Sequence, residues 1–190
     1  QIDWLPHHAE YLPWAVSVPK RPEWANVVHV NSWLPQKFIP KDVPFVCTVH
    51  SIVHSPDLRS YKSFMQAMYH RHWVRRCEEF SVIRASAVTA VSRHVGDQVS
   101  IDFGREAEVV LNWVDPEQFF PPPTKAPNKR FRVLYVGAAR ILKGVDLLPA
   151  LAQELGKEFE VVATVDKRQL HEMKLDPTNL RCVGRLYGGQ

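Results

Sequence analysis

Residues 131–155 read FRVLYVGAARILKGVDLLPALAQEL, and this stretch decides the fold. It consists of a short apolar run, a loop that contains glycine, a Lys-Gly pair and an apolar helix pattern. Unpaired backbone N–H groups and the helix dipole favour an anion at the start of such a helix. Lys143 adds positive charge beside that start, and Gly144 lets the backbone approach a ligand closely. The stretch therefore predicts a strand, a phosphate-binding loop and a helix.

The rest of the chain repeats the alternation of apolar, β-branched runs with helical patterns. Strands are predicted at 27–30, 45–50, 87–91, 108–111, 131–136, 160–165 and 180–183, and helices at 61–84, 93–103, 145–155 and 167–174. Most of the strand runs are continuously apolar, which is typical of parallel strands buried on both faces. The pattern predicts an α/β fold with doubly wound parallel sheets.

Helix 61–84 carries apolar residues at near-helical spacing, and this stripe predicts its core face. The stripe consists of Tyr61, Phe64, Met65, Met68, Trp73, Val74 and Cys77. Ser92 stands between a predicted strand and a predicted helix, as an N-cap residue does.

Composition limits the class of protein. The chain has 190 residues, of which 45% are hydrophobic and 23% charged, and it holds no apolar run long enough to span a membrane. The net charge of +4 is spread without a basic tract, which disfavours nucleic acid and suits an anionic ligand or an anionic membrane surface. Cys47, Cys77 and Cys182 lie far apart in apolar stretches. They predict reduced thiols and a cytoplasmic protein, with a place at the inner face of a membrane left open.

Residues 119–130 read FFPPPTKAPNKR, the clearest boundary in the chain. A Pro-rich, polar segment is a stiff linker, here predicted at 121–130 between α/β portions at 1–120 and 131–190. Neither portion has enough strands for a complete doubly wound domain. The chain begins with Gln1, so we expect the natural amino terminus to be missing.

Five segments, in order, resemble glycosyltransferases of family 4, which have the GT-B fold. They are VVHVNSWLP, PFVCTVHSI, AVTAVSRHVGDQV, VVLNWVDPEQFFPPP and the stretch at 131–155. The resemblance implies two Rossmann-like parallel-sheet domains, both incomplete here. Residues 1–120 would be the later part of the acceptor-side domain, and 131–190 the first part of the nucleotide-sugar domain. A fragment that lacks both ends is expected to be inactive and poorly stable on its own.

The same resemblance implies an activity. An enzyme of this family transfers a sugar from a nucleoside-diphosphate-sugar to an acceptor with retention at the anomeric carbon, in the synthesis of glycans, glycolipids or polysaccharides. Gly137, Arg140, Lys143 and Gly144 would hold the donor diphosphate. The family usually has an arginine directly after the loop glycine, where this chain has Ala138. Arg140, two residues later, is expected to reach the same phosphate.

Other positions are expected to face the substrate. His50 ends a buried strand and matches the family histidine that lies near the donor sugar, so it is the catalytic candidate, with Ser51 beside it. Trp113 replaces the glycine of the family's Asn-Gly-Val-Asp turn, so the turn is expected to differ; Trp113 either contacts substrate or is a surface residue. Gly184 is a further candidate contact. His50 and His54 form an HxxxH pattern on a loop without a third ligand, so no metal is expected.

The expected partners are a nucleotide-sugar donor and an acceptor that is a glycan or a lipid-linked sugar. No cofactor and no nucleic-acid partner are expected, peripheral membrane association is left open, and the sequence fixes neither the sugar, the nucleobase nor the oligomeric state. Two alternatives remain: a non-catalytic module that binds a nucleotide or anion, such as one half of a split transferase, and a GT-B epimerase or phosphorylase.

Overall fold

The computed structural model describes residues 5, 9, 12–120 and 130–186, apart from the side chain of Asp57. The chain divides into two compact units, Gln1–Phe119 and Phe120–Gln190, and each is described by itself. The predicted linker at 121–130 lies outside the described residues except for Arg130.

The first unit is built on a parallel sheet of four strands in the order β1-β2-β3-β4. The strands are β1 Val28–Asn31, β2 Phe45–Val49, β3 Ala87–Ala90 and β4 Glu108–Val109. The register aligns Val30 with Cys47 and Cys47 with Val88, and all three side chains are buried in one core. Because the strands are parallel, their carboxyl ends meet at one edge of the sheet, where ligands of α/β proteins bind.

Helices connect these strands. They are α1 Phe64–Tyr69, α2 Arg75–Arg84 and α3 Arg93–Phe103. The hydroxyl of Ser63 and the side chain of Gln66 form a capping box at the start of α1. Ser92 caps α3 by accepting a hydrogen bond from the Val95 amide at 3.2 Å, as its position predicts.

Only the second part of the predicted core stripe of helix 61–84 is buried. Val74 and Cys77 are buried, but four members of the stripe are exposed: Tyr61, Phe64, Met65 and Met68. A π-helical turn at His70–Val74 separates α1 from α2. A π turn closes its hydrogen bonds over one residue more than an α turn, so it rotates the faces of α1 away from those of α2. The stripe assumed one continuous period, and that period is interrupted.

The second unit has a parallel sheet of three strands in the order β5-β6-β7. Its elements are β5 Phe131–Tyr135, α4 Leu148–Leu155, β6 Phe159–Ala163, α5 Lys167–Glu172 and β7 Leu180–Cys182. The register aligns Val133, Val161 and Leu180 on the face that packs in the core. Helix α4 begins at Leu148 rather than 145, because Val145–Leu147 forms a 3-10 turn. Pro149 then lies in the first turn, where its missing N–H has no intrahelical partner to lose.

The predicted fold class is confirmed: the chain is α/β, with two parallel sheets of four and three strands. All seven predicted strands are present, with bounds within two residues of the prediction. Both sheets have fewer strands than the roughly six of a complete Rossmann-like sheet. Within the described ranges, no helix is long and apolar enough to cross a membrane.

Candidate functional site

The loop between β5 and α4 lies at the carboxyl edge of the second sheet. It contains two 3-10 turns, Ile141–Lys143 and Val145–Leu147, with Gly144 between them at φ 74°. Side chains with a Cβ rarely adopt this left-handed conformation, so glycine is needed here to turn the chain into α4. The sequence predicts a glycine here for close approach to a ligand, and the structure shows that Gly144 also turns the chain.

The backbone amides of this loop differ from the expected phosphate cradle. Four of them donate to acceptors within the unit: Gly137 to Thr164 Oγ1 at 3.2 Å, Arg140 to Ala138 O at 2.8 Å, Lys143 to Arg140 O at 2.9 Å and Gly144 to Ile141 O at 2.8 Å. The amides of Gly137 and Gly144 thus have acceptors within the unit, and their contact with a phosphate stays a prediction. The side chains of Arg140 and Lys143 are exposed at this edge.

A close contact explains the glycine at the start of the loop. The hydroxyl of Tyr135 donates to Ala138 O at 2.9 Å, so the tyrosine ring crosses the backbone of the loop. A Cβ placed on Gly137 would lie 3.0 Å from that hydroxyl oxygen, which is too close. Gly137 thus keeps room for the tyrosine that holds the loop in place.

A cavity of about 530 Å³ lies beside this loop. Another cavity, of about 420 Å³, lies at the amino edge of the first sheet. The lining of the cavity beside the loop combines residues that follow all three strands with one from α5: Val136, Gly137, Ala138, Ala139, Thr164, Gln169, Arg185 and Leu186. Arg185 is therefore the cation that lines this cavity, whereas Arg140 and Lys143 do not. Sequence reasoning missed Arg185 and Thr164, although both directly follow strand runs whose carboxyl ends must converge.

Gly184 positions Arg185 at the end of β7. It adopts φ 73°, and its amide donates to Val165 O at 3.2 Å. This bond ties the segment after β7 to the segment after β6. A direct contact between Gly184 and substrate stays a prediction.

His50 lies where the sequence predicts, directly after β2 at the carboxyl edge of the first sheet, and it is exposed. Ser51 follows and is half-buried. The next two residues, Ile52 and Val53, are buried and fasten the loop to the core. Burial of Ile52 and Val53 holds the loop in place, while the side chain of His50 stays exposed to solvent, which suits a residue that contacts a ligand.

A buried carboxylate fastens the same loop from α2. Glu78 is 1% exposed, and its Oε1 accepts hydrogen bonds from Trp33 Nε1 at 3.1 Å and from the Val53 amide at 3.3 Å. Its Oε2 lies 3.1 Å from His54 Nδ1, and His54 Nε2 lies 3.4 Å from Asp102 Oδ2. The cluster joins the loops after β1 and β2 to α2 and α3. No local pattern in the sequence predicts this cluster, because its members come from four separate segments of the chain.

Burial sets the protonation of this cluster. It raises the pKa of Glu78 to about 7 and lowers the pKa of His54. The negative charge of Asp102 acts in the opposite direction on His54 and raises its pKa, but the effect of burial is larger. The raised pKa of Glu78 and the lowered pKa of His54 both favour neutral partners, whereas an ion pair would move both the other way. Below the pKa of Glu78, the protonated carboxyl can donate from Oε2 to His54 Nδ1, and neutral His54 can then direct Nε2–H towards Asp102. Among the described residues, no group of three or more His, Cys, Asp or Glu is placed to hold a metal ion.

Trp113 lies in the segment after β4 and is 85% exposed. Among the described residues other than glycine, only Lys174 has a positive φ, so the turn around Trp113 does without the left-handed residue that glycine would supply. The carboxylate of Asp115 shapes the chain instead by accepting the Glu117 amide at 2.9 Å. Trp113 thus does not have a positive φ, and both its difference from the family turn and its contact with substrate stay predictions.

Parallel sheets with exposed basic and histidine side chains at their carboxyl edges define a class of Rossmann-like proteins that bind ligands at that edge. The sequence places the chain in one family within this fold class. The chain belongs to glycosyltransferase family 4: the family described as Glycosyltransferase Family 4 matches residues 4–118, which is more than half of the chain. The match lies within the first unit. No curated protein matches the chain.

Gly144→Ala tests the shape of the loop. At φ 74° we expect the alanine to destabilise the second unit by about 1–2 kcal/mol, measured by calorimetry, because the backbone conformation is strained for a residue with a Cβ. Gly156→Ala should destabilise the same unit as well, because Gly156 has φ 68° in the turn between α4 and β6. Equal stability of wild type and Gly144→Ala would contradict the left-handed turn.

Proposed function

We propose that this chain carries part of a glycosyltransferase that moves a sugar from a nucleoside-diphosphate-sugar to an acceptor with retention. Membership of family 4 through the first unit supports the class of reaction. One observation supports the donor: Arg140 and Lys143 expose two cations on a loop at the carboxyl edge of a parallel sheet. A diphosphate is the anion that this pair of charges suits.

In the proposed reaction, the bond between the anomeric carbon and the diphosphate oxygen breaks, and the nucleoside diphosphate leaves with the electron pair. The acceptor oxygen forms the new bond on the same face, and its proton passes to the departing diphosphate. Lys143 and Arg140 stabilise the charge that develops on the diphosphate. His50 orients the donor sugar at the edge of the first sheet. Neither a metal nor another cofactor takes part in this proposal.

The acceptor is proposed to be a glycan or a lipid-linked sugar, and nucleic acid is not proposed as a partner. A cytoplasmic location is proposed from the cysteines. Cys47 and Cys77 are free and buried, and burial raises the pKa of their thiols to about 12 and about 11, so neither forms the reactive thiolate readily.

The test is a titration of the purified chain, and of the longest open reading frame that contains it, with UDP, GDP, ADP and CDP, followed by thermal unfolding. At least one diphosphate should raise the unfolding temperature, and its nucleoside should not, because the diphosphate contributes the charge. The absence of any shift at millimolar diphosphate, about a thousandfold above a micromolar affinity, would remove the donor proposal.

A second candidate function is a module that binds a nucleotide without turnover. Ala138 in place of an arginine and the internal bonding of the loop amides favour it, because both weaken stabilisation of a developing charge. Turnover distinguishes the two: transfer of the sugar to a component of an acceptor extract, with release of the nucleoside diphosphate, supports the transferase. Binding without release supports the module.

A further inference from the structure

Four large apolar side chains lie exposed together on α1 and on the turn before it. Phe64 and Met65 are 81% and 80% exposed, Tyr61 is 50% exposed and Met68 is 43% exposed. Single exposed apolar residues are common, but a cluster of this kind marks a surface that binds a protein partner or a membrane. We call these four residues the α1 face.

Cations surround the α1 face. A cavity of about 600 Å³ beside it is lined by the apolar residues Pro56, Phe64, Ala67 and Met68. Basic and polar side chains complete the lining: His54, Ser55, Arg59, Lys62, His70, Arg71 and Arg75. No acidic side chain lines it among those that the structure describes. Lys62 donates to Val53 O, and none of the three arginines forms an ion pair with a described carboxylate. The cavity is therefore strongly positive, with an apolar rim.

The π turn at His70–Val74 produces this arrangement. It turns α1 outward relative to α2 and places His70 and Arg71 at the cavity. The Nδ1 atom of His70 is buried without a hydrogen-bond partner among the described residues. Interruptions of this type cost helical hydrogen bonding and occur frequently at functional sites. The turn is thus a second observation that points to the same surface.

We infer that the α1 face docks on an anionic phospholipid bilayer. Phe64, Met65 and Met68 enter the boundary between headgroups and acyl chains, and Arg59, Arg71 and Arg75 contact lipid phosphates. The inference goes beyond the proposed sugar transfer and does not depend on it.

Charge and shape favour a bilayer over other occupants. A second copy of the α1 face would bring the two sets of arginines together, and like charges oppose such a contact. A free phosphate would leave the apolar side chains in water. An anionic bilayer satisfies both parts, because basic residues bind its surface charge while aromatic and aliphatic side chains enter its interface.

The experiment is flotation of the intact chain with vesicles of phosphatidylcholine alone or mixed with phosphatidylglycerol. Two variants test the α1 face: the double substitution Phe64→Ser with Met65→Ser, and Arg71→Glu. Ile101→Ser on α3 is the apolar control, because Ile101 is also 81% exposed. Arg84→Glu is the charge control, at the far end of α2 from the cavity.

We expect binding to the anionic vesicles that weakens as salt is added, and a loss of affinity of about tenfold or more in both test variants. The two controls should stay within about twofold of wild type, and tryptophan fluorescence should give all five proteins the same unfolding midpoint. Absence of binding, equal binding to both vesicle types, or an equal loss in test and control variants overturns the inference. Concentration-dependent dimerisation that Phe64→Ser abolishes also overturns it, in favour of contact between copies.

Discussion

Lys143→Ala in the full-length enzyme should lower kcat/KM for sugar transfer at least about tenfold, because a charge-assisted hydrogen bond to the diphosphate contributes roughly 1.5–3 kcal/mol. Two features of the loop leave Lys143 with a large share of the stabilisation of the diphosphate charge. Ala138 stands where the family has an arginine, and the amides of Gly137 and Gly144 already have acceptors within the unit. The remaining positive groups must then supply most of the stabilisation.

Lys157→Ala provides the matched control. Lys157 is exposed and lies in the turn before β6, at the amino edge of the same sheet. Its removal changes the net charge by the same amount without touching the loop. Lys143→Arg should restore part of the activity, since it keeps the charge with a different donor geometry. An unchanged kcat/KM in Lys143→Ala, or an equal fall in Lys157→Ala, would refute the diphosphate role of Lys143.

Local signals were sufficient to predict the strands. The runs at β2 and β6 are rich in apolar and β-branched residues, with Thr48 and Glu160 as their polar members, and each is short enough for a buried parallel strand. The order of strands and helices then fixed the α/β class. Helix α3 was equally clear, because Ser92 caps its start and Gly104 ends it with φ 62°. These features depend on neighbours in the chain, so a single sequence contains them.

Non-local contacts were beyond the sequence. The π turn at His70–Val74 depends on what α1 and α2 pack against, and none of its residues is of a type that predicts a π turn. The partners of Glu78 come from two other segments of the chain, one after β1 and one after β2. Arg185 reaches its cavity only because β7 lies beside β6. Each of these was missed because it is a property of packing rather than of local pattern.

Glu78→Ala should destabilise the first unit by about 2–5 kcal/mol, because it leaves the indole N–H of Trp33 and the amide of Val53 buried without an acceptor. The exposed neighbour Glu79 is the matched control, and Glu79→Ala should change stability by about 0.5 kcal/mol or less. All six tryptophans of the chain lie before residue 119, so their fluorescence in a denaturant titration reports the first unit alone.

The protonated arrangement of the cluster makes a sharper prediction for Glu78→Gln. Glutamine reproduces protonated Glu78: its oxygen can accept from Trp33 and Val53, and its amide can donate to His54. The pKa of Glu78 is raised from 4.5 to about 7, so the folded state holds the proton more tightly than the unfolded chain between these values. The stability that this proton contributes is present below about pH 4.5 and is lost as the pH rises to about 7.

Glu78→Gln should therefore match wild type near pH 4.5 and exceed its stability at pH 8, by at most roughly 3 kcal/mol. The lowered pKa of His54 gives a slope of opposite sign below pH 6.5, where stability rises with pH, but His54 is present in both proteins and largely cancels in their difference. If Glu78→Gln were less stable than wild type at pH 8, Glu78 would be a carboxylate that accepts a hydrogen bond from His54 Nδ1–H. The loop that carries His50 would then be held by a charged carboxylate, and protonation of Glu78 in acid would weaken that contact.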